Sequence, residues 1–490
     1  MSRFSIVEAI RERAQCQAVA LVQKERTLRY DQLFAECDRL AAEIRPHLAV
    51  SASRKDRARL GVHFPSCLDY VPLALATLAT GACFVPVPDE LADEEKRELL
   101  TRTALDFVLV LESAAGWLPM GAEVLASIVV GGQNVKLVRV PASSEASFPR
   151  DAFEELNPAF IRFSSGTTGK SKGVLLSHES LLARITAANE GLQISPLDRV
   201  LWVLPMAHHF AVSIVLYLYH GATTIIEETH LGEDLLRAGA QQAATVMYGS
   251  PVHYRQLVQA PELANWSTLR LAVATAAALD AATAQKFHAR FGLPLVQGLG
   301  IIELGLPVLN LDGALIAPEA IGLPLPAYQC LLRDERGAEP ASGESGEICL
   351  RGPGMFDAYL DPWLPRAQVV DEQGWFATGD LGRRDDGGRV FICGRQKTLI
   401  NVGGMKVFPE EVEAILNTHP KVECALVEAR LHPLYGEVPV CRYIASAEGA
   451  ATALELRNHL RAHLAAYKIP LMFSVVPELP LTASGKLKRA

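Results

Sequence analysis

Residues 160–173 read FIRFSSGTTGKSKG, a short apolar strand that runs directly into a loop rich in glycine and hydroxyl side chains. Glycine lets a backbone approach a ligand closely and adopt positive φ angles. Serine and threonine hydroxyls, together with free backbone N–H groups, form a nest for negatively charged oxygen atoms. Lys170 and Lys172 add positive charge at the end of the loop. The stretch therefore predicts a phosphate-binding loop that follows a buried strand.

The spacing of this loop differs from that of a Walker A loop, which has the form GxxxxGK followed by Ser or Thr. Reading back from Gly169 and Lys170, the position that requires the first glycine is occupied by Ser164. The sequence therefore excludes a P-loop kinase.

The composition of the whole chain limits the class of protein. The chain has 490 residues, 49% of them hydrophobic, and a formal net charge of -8. Single hydrophobic cores stop growing at roughly 250–300 residues, so we expect at least two domains. A mildly acidic chain has no broad attraction to nucleic acid or to anionic membranes, so we expect no nucleic-acid partner and a local device for any bound nucleotide.

The cysteines and the N-terminus indicate a cytoplasmic protein. No two of the nine cysteines form a C-x-x-C pair, which favours buried thiols in a reducing compartment over a zinc or disulfide framework. Residues 1–15 are charged and lack the apolar segment of a secretory signal. The longest apolar stretch, 71–88, is interrupted by proline and glycine and is too short to span a bilayer.

Apolar strands alternate with helical patterns over the first two thirds of the chain, which predicts layered α/β structure with mostly parallel strands. The predicted strands are 59–64, 83–86, 107–111, 160–163, 223–226 and 269–274, and the predicted helices include 31–44 and 68–80. After about residue 342 the sequence becomes rich in Gly, Asp and Pro, which predicts antiparallel ribbons at 347–351 and 389–393. The last stretch predicts a small α+β domain with helices at 409–416 and 453–464 and strands at 422–429 and 471–476.

Further short motifs occur along the chain. They are LRYDQL at 28–33, LPMAHHF at 204–210, TAAAL at 275–279, GLGIIE at 298–303, GWFATGDL at 374–381, GRQK at 394–397, NVGGMKV at 401–407 and PLTASGK at 480–486. With the glycine-rich loop they resemble, in the same order, the motifs of the adenylate-forming superfamily, which includes acyl-CoA synthetases, luciferases and the adenylation domains of peptide synthetases. The resemblance extends over nearly the whole chain.

The resemblance implies a large N-terminal adenylation core at 1–394, a hinge at 395–397 and a small mobile α+β domain at 398–490. The core would consist of layered α/β subdomains and an antiparallel β ribbon, and it would bind ATP and a carboxylic acid. Thr168 would be catalytic. The loop residues implied to bind the phosphates are Ser164, Ser165, Gly166, Thr167, Thr168, Gly169, Lys170 and Lys172.

The GLGIIE segment takes the place of the family's metal-binding motif. Glu303 would hold Mg²⁺ on the ATP phosphates, a role that suits a hard carboxylate ligand. Leu299 replaces the aromatic residue that usually flanks adenine, and Ile302 replaces the threonine that usually contacts the α-phosphate. Gly298 and Gly300 complete this part of the implied nucleotide site.

Other parts of the implied nucleotide site come from separate motifs. Ala276 and Ala277 stand where the family has small residues, mostly glycine, along the adenine. Asp380 would accept hydrogen bonds from both ribose hydroxyls, and Arg395 would also reach the ribose. Lys397 falls at the implied hinge between the adenylation and thioester-forming poses.

The last motif of the chain carries the implied catalytic lysine. Lys486 would bridge the substrate carboxylate and the α-phosphate, two anions whose mutual repulsion a cation offsets. Gly403 and Gly404 would line the tunnel of the incoming thiol. Because the chain stops four residues after Lys486, the expected acceptor is free CoA or the phosphopantetheine of a separate carrier protein.

The LPMAHHF segment gives the best indication of the substrate. His208 takes the family's shared histidine position, with an implied catalytic role, and His209 replaces an asparagine that faces the aryl hydroxyl in aryl-acid ligases. Ala211 stands where amino-acid-activating domains have an Asp, so a buried ammonium would lack a partner. We expect a small aromatic or medium aliphatic acid. The implied pocket consists of His208, His209, Phe210, Ala211, Gly300 and Gly305.

Several alternatives stay open at this point. The chain could load a separate carrier protein, or it could be an oxygenase of the luciferase type. The departures at Leu299 and Ile302 also fit a degenerate nucleotide-binding or regulatory protein, although Lys486, Asp380 and Glu303 argue against it. A homodimer is neither predicted nor excluded.

Overall fold

The computed structural model describes residues 3–48, 57–141, 148–163, 172–229, 231–261, 265–402, 405–432, 436–480 and 487. The described residues form two compact units. The first unit runs to Gln329 and includes Arg351–Gly374, and the second comprises Cys330–Leu350 and the residues from Trp375 onward.

Some of the helices begin at a side-chain cap. Ser177 caps α6, its side chain accepting a hydrogen bond from the Ser180 backbone N–H at 3.0 Å, and Thr452 caps α13 with Glu455. The α-helices are α1 (Ile6–Arg13), α2 (Tyr30–Ile44), α3 (Tyr70–Ala79), α4 (Asp93–Thr103), α5 (Arg150–Glu155), α6 (His178–Leu192), α7 (Met206–His209), α8 (Val215–Tyr219), α9 (Gly232–Gln241), α10 (Pro251–Gln259), α11 (Ala281–Phe291), α12 (Pro409–Leu416) and α13 (Ala453–Arg461).

The strands are short and mostly buried in the first unit. They are β1 (Val19–Gln23), β2 (Arg26–Arg29), β3 (Arg59–His63), β4 (Cys83–Pro86), β5 (Phe107–Leu111), β6 (Glu123–Val130), β7 (Gln133–Arg139), β8 (Pro158–Phe163), β9 (Gly173–Ser177), β10 (Arg199–Trp202), β11 (Thr223–Ile226), β12 (Val246–Gly249), β13 (Leu271–Ala274), β14 (Leu295–Ile301), β15 (Gly305–Leu309), β16 (Leu323–Pro324), β17 (Gln329–Arg333), β18 (Ser345–Arg351), β19 (Ala358–Tyr359), β20 (Leu364–Pro365), β21 (Phe376–Arg384), β22 (Val390–Arg395), β23 (Ile400–Val402), β24 (Met405–Val407), β25 (Val422–His432), β26 (Gly436–Ala445) and β27 (Phe473–Val475).

Two nine-stranded sheets form the first unit. One has the order β16-β15-β14-β13-β12-β10-β11-β1-β2, and the other has the order β20-β19-β9-β8-β4-β3-β5-β7-β6. Neighbouring strands in the middle of each sheet are parallel, and those at the edges are antiparallel. Strands β4 and β8 belong to one of these sheets, and β14 belongs to the other. Residues of the candidate site lie at or after the ends of these three strands.

The second unit contains two smaller sheets. β17, β18, β21 and β22 form a four-stranded sheet, and β23 to β26 form another with β27 paired to β26. Helices α12 and α13 cover the second of these sheets around a core that includes Val412, Leu416, Leu456 and Leu460. Both sides of the predicted hinge lie within this unit, and the hinge stays a prediction.

The α/β class and the small α+β region at the end of the chain are confirmed. The predicted strands 83–86, 107–111 and 223–226 and the predicted helix 409–416 have the bounds of β4, β5, β11 and α12. The predicted predominance of parallel strands holds at the sheet centres, whereas the edges are antiparallel. The difference arises because hairpins such as β6–β7 extend each sheet at its rim.

A buried histidine at the start of α6 makes stability dependent on pH. His178 is 3% exposed, and its Nδ1 accepts a hydrogen bond from the backbone N–H of Ile6 at 3.3 Å. Burial, reinforced by the positive charge of Arg57, lowers the pKa of His178 to about 3. The folded protein therefore holds this imidazole neutral well below the pH at which an exposed histidine becomes charged.

Acidification is expected to destabilise the fold through His178. In the unfolded chain the residue titrates near its ordinary pKa of about 6.5, so between about pH 6.5 and pH 3 the unfolded state binds a proton that the folded state does not. The free energy of unfolding should fall by about 2 kcal/mol between pH 6.5 and pH 5 from this group alone. Urea unfolding at a series of pH values measures it.

Two variants separate this effect from general acid denaturation. His178→Gln retains an acceptor for the Ile6 N–H and removes the titrating ring, so the fall should shrink. His288→Gln removes an exposed histidine of α11 and should leave the fall unchanged. An identical pH dependence in wild type and His178→Gln would contradict the assignment.

Candidate active site

Glu303 lies in the tight turn between β14 and β15, at the carboxyl end of a parallel strand. Its Oε1 accepts a hydrogen bond from the Tyr359 hydroxyl at 3.1 Å. Its backbone carbonyl accepts a second one from the Phe356 N–H at 2.7 Å. Because ligands of open α/β sheets bind at the carboxyl ends of the strands, this anchored carboxylate lies where a bound ligand is expected.

Positive charges lie close to this carboxylate. The ammonium of Lys172 is 4.4 Å from the ring centre of Tyr359, which itself bonds to Glu303. Burial lowers the pKa of Arg162 to about 10, and the nearby negative charge of Glu303 opposes that change. A carboxylate bordered by cations can hold a metal ion while the cations bind anionic groups attached to the metal.

Arg184 supports the Glu303 turn from behind. It is 1% exposed, and its Nη1 donates to the carbonyl of Ile302 at 2.9 Å. Its Nε and Nη2 donate to the carbonyl of Gly354 at 3.0 and 2.6 Å. Gly305, with φ +93°, packs against the aliphatic part of the same side chain. One buried guanidinium therefore joins α6 to two loops and fixes the turn that carries the carboxylate.

His208 is held at both its backbone and its ring. Its Nε2 lies 2.7 Å from Oε1 of Glu90, and its backbone carbonyl accepts a hydrogen bond from the guanidinium of Arg162. The helix that carries it begins at Met206, whose N–H donates to the Ser66 hydroxyl at 2.9 Å. The same Arg162 thus links the predicted histidine to the surroundings of Glu303.

His209 lies against an aromatic wall. Its ring meets Trp202 edge-on, with 5.6 Å between the ring centres, and Trp202 stacks on Tyr248 at 5.9 Å. Trp202 and Tyr248 are opposite each other on β10 and β12. Trp202 is 1% exposed and Tyr248 is 4% exposed, so these two rings pack within the core beside His209.

The rest of the predicted pocket segment is more buried. Phe210 is 1% exposed, and its ring packs between Tyr70 at 6.0 Å and Phe84 at 5.6 Å. Ala211 is 2% exposed. Residues Phe210–Ile214 form a π-helical turn, a rare conformation that is frequent at functional sites. Phe210 therefore packs among buried aromatic rings, and its place in the acid pocket stays a prediction.

The predicted adenine side combines strain with apolar packing. Ala276 has φ +71°, a left-handed conformation that costs a non-glycine residue about 1–2 kcal/mol. Ala277 follows it in the same exposed bend after β13. Gly298, Leu299 and Gly300 belong to β14, with the side chain of Leu299 only 8% exposed.

The two predicted ribose-binding residues lie together in the second unit. Asp380 on β21 and Arg395 on β22 are paired across the strands, with 2.9 Å between Oδ1 and Nε. The Asp380 N–H also donates to the Thr378 hydroxyl at 3.1 Å. Lys397 is exposed in the short 3-10 turn Gln396–Thr398 that follows.

Several predicted site residues lie outside the described part of the chain. They are Ser164, Ser165, Gly166, Thr167, Thr168, Gly169, Lys170, Gly403, Gly404 and Lys486. Their roles stay predictions.

The motifs of the sequence gave no role to Glu90, Arg162, Arg184 or Tyr359. The sequence does contain a sign of the two arginines, because each is a charged residue in a strand or helix face that is otherwise buried. No local pattern distinguishes Glu90 from the other acids near α4, or Tyr359 from a buried aromatic residue.

The residues present fit Mg²⁺ carried by a nucleotide. Within the described ranges, no group of three or more His, Cys, Asp or Glu side chains could hold a metal ion. Mg²⁺ needs only one or two carboxylates when substrate phosphates supply other ligands, and Glu303 provides such a carboxylate. Among the helices that the structure describes, none combines the length and the apolar character needed to cross a membrane.

Together with this fold, comparison with known proteins identifies an AMP-forming carboxylic acid ligase. A family model for AMP-binding enzymes matches residues 9–360, and a model for the AMP-binding enzyme C-terminal domain matches residues 411–486. The chain therefore belongs to the AMP-binding enzymes, the adenylate-forming superfamily, as its motifs predicted.

Individual relatives cover the chain almost completely. Feruloyl-CoA synthase from an Amycolatopsis species is 30% identical over 474 residues, which are 93% of this chain and 92% of that protein. Indoleacetate–CoA ligase from Aromatoleum aromaticum is 29% identical over 486 residues, 95% of this chain and 92% of that protein. The o-succinylbenzoate CoA synthetase from Bacillus subtilis shares the fold, with a TM-score of 0.83 and 22% identity over 98% of this chain and 96% of that one.

Proposed function

We propose that this enzyme activates an aromatic carboxylic acid with ATP and transfers the acyl group to CoA. The observation that carries the proposal is the Glu303 carboxylate, anchored by Tyr359 beside the charge of Arg162. It supports binding of a metal–polyphosphate at the end of β14. A cytoplasmic location and the hinge at 395–397 belong to the same proposal.

The first step joins the acid to AMP. The substrate carboxylate attacks the α-phosphorus, the bond to the leaving oxygen breaks, and pyrophosphate departs. The carboxylate is already ionised, so no general base is required, and catalysis is mostly positioning and charge neutralisation. The glycine-rich loop and Lys486 would neutralise the reacting anions, and Glu303 would hold Mg²⁺, which supplies charge stabilisation on the phosphates.

The second step transfers the acyl group. The thiol loses its proton, its sulfur attacks the acyl carbonyl, and AMP leaves with the electrons of the anhydride bond. In the proposal, Gly403 and Gly404 let the pantetheine arm pass close to the backbone. Rotation at Lys397 would exchange the residues of the second unit that face the acyl-adenylate.

The acid is proposed to be aromatic rather than medium aliphatic. His209 lies against the buried rings of Trp202 and Tyr248, an aromatic environment that favours an aryl group beside it, and Ala211 offers no partner for an ammonium group. The names of the feruloyl and indoleacetate ligases also describe enzymes that act on aromatic acids.

Pyrophosphate exchange across a panel of acids tests this function. We expect exchange with aryl acids, about tenfold or more weaker exchange with medium aliphatic acids, and none with α-amino acids. Each active acid is then supplied with CoA or with a phosphopantetheinylated carrier protein, and CoA should give the thioester. The proposal would be rejected if none of the acids supported exchange, or if product formation required oxygen. Transfer to the carrier alone would favour the carrier-loading alternative.

A further inference from the structure

The loop after β4 carries two adjacent carboxylates that face histidines of different elements. Glu90 Oε1 lies 2.7 Å from Nε2 of His208 on α7. Asp89 Oδ1 lies 3.2 Å from Nε2 of His63 at the end of β3. We propose that Glu90 is a positioning residue, which fixes the ring of His208 at the acyl-binding side of the site. The inference rests on the proposed function for the reaction that His208 serves.

The two pairs differ in geometry. The Glu90–His208 contact is a hydrogen bond, whereas neither ring nitrogen of His63 has a hydrogen-bond partner among the described residues. Asp89 is largely exposed, with 61% of its side chain accessible, whereas Glu90 is 30% and His208 only 12% accessible. The Glu90–His208 pair therefore combines a short hydrogen bond with a largely buried ring, whereas the Asp89–His63 contact involves a well-solvated carboxylate.

The ionisation of Glu90 decides which nitrogen of His208 carries a proton. Burial would raise the pKa of Glu90, but the hydrogen bond from His208, together with the charges of His208 and Lys96, lowers it below its usual value. An ionised carboxylate can only accept, so Nε2 must carry the proton. In the neutral ring Nδ1 then becomes the acceptor, and the carboxylate fixes both tautomer and orientation.

The backbone of His208 is already held, which leaves the ring as the variable part. The guanidinium of Arg162 donates to the His208 carbonyl, and the His208 N–H donates to the Pro205 carbonyl at 3.2 Å. Loss of the Glu90 side chain would therefore let the His208 ring rotate while α7 stays in place. A loss of orientation alone can reduce a rate about 10²-fold when reacting groups are misplaced by about 1 Å.

Three variants test the proposal kinetically. Glu90→Ala should lower kcat/KM for the acid by about 10- to 100-fold and leave KM for ATP within about twofold of wild type. Glu90→Gln keeps an oxygen acceptor for Nε2–H and should recover activity to within about threefold. Asp89→Asn removes the same charge one residue away and should behave as wild type. Wild-type kinetics in Glu90→Ala, or equal losses in all three variants, would overturn the proposal.

A second readout does not depend on the proposed function. Nitrogen-15 NMR of the histidine-labelled protein, with His208→Asn to assign the signal, reports the tautomer. We expect a single Nε2–H form of His208 in wild type and Glu90→Gln, and a mixture of the Nε2–H and Nδ1–H forms in Glu90→Ala. An Nδ1–H form in wild type would overturn the inference whatever the kinetics. If no acid in the panel supports exchange but the His208 tautomers are as expected, only the proposed function is rejected. The positioning role of Glu90 then remains.

Discussion

Lys486→Ala is expected to reduce acyl-adenylate formation by about 10²- to 10³-fold. In the first step, the substrate carboxylate must approach an α-phosphate that also carries negative charge, and a cation between them offsets the repulsion. Thioester formation from chemically prepared acyl-adenylate needs no such approach of two anions. It should therefore proceed at close to the wild-type rate, which separates this lysine from residues that act in both steps.

Pyrophosphate exchange measures the first step, and CoA consumption from added acyl-adenylate measures the second. Lys488→Ala, which removes the same charge two residues later, provides the matched control and should retain exchange. Equal losses of both steps in Lys486→Ala, or an equal loss of exchange in Lys488→Ala, would contradict the assignment of Lys486.

Gly354→Ala should cause a large loss of stability. Gly354 has φ +68°, which costs an L residue about 1–2 kcal/mol, and an added Cβ would lie 2.4 Å from both the backbone nitrogen and the Cβ of Arg184. Overpacking against a buried helix typically costs about 1–3 kcal/mol more. We expect the free energy of unfolding in urea to fall by about 2–5 kcal/mol.

Gly292 offers a control with nearly the same φ angle. It has φ +71° at the end of α11, and a Cβ added there would meet no atom within 4 Å. Gly292→Ala should therefore cost only the conformational part, about 1–2 kcal/mol. Similar losses in the two variants would show that crowding against Arg184 does not matter.

The activity of Gly354→Ala also tests the support of the Glu303 turn. Displacement of Arg184 would weaken its bonds to the carbonyls of Ile302 and Gly354. Pyrophosphate exchange by the folded variant should therefore decrease, whereas Gly292→Ala should keep wild-type exchange at temperatures where it is folded.

Local patterns predicted much of the fold, because the strands at the sheet centres are continuous apolar runs. The runs at 83–86, 107–111 and 223–226 end at polar or turn-forming residues, so even their bounds could be predicted. Strand pairing was harder. The β6–β7 hairpin was missed, because its strands are half exposed and carry no clear alternation.

The candidate site shows the same division. The resemblance of the short motifs predicted roles for Glu303, His208, Asp380 and Arg395, and those roles stay predictions. The consequences of Leu299 and Ile302 for nucleotide binding stay open to measurement. The positive φ of Ala276 could not be predicted, because alanine at that position gives no local sign of a left-handed backbone.

The sequence by itself determined the class of chemistry, the order of its motifs and the strands that form the sheet centres. Only the tertiary structure decided which side chains support them: Glu90 meets His208 across 118 positions of sequence, and Tyr359 meets Glu303 across 56. The physical reason is that hydrophobic periodicity records which face of an element is buried. Hydrophobic periodicity does not record which distant loop packs against that element, because the strand order of the sheet decides this.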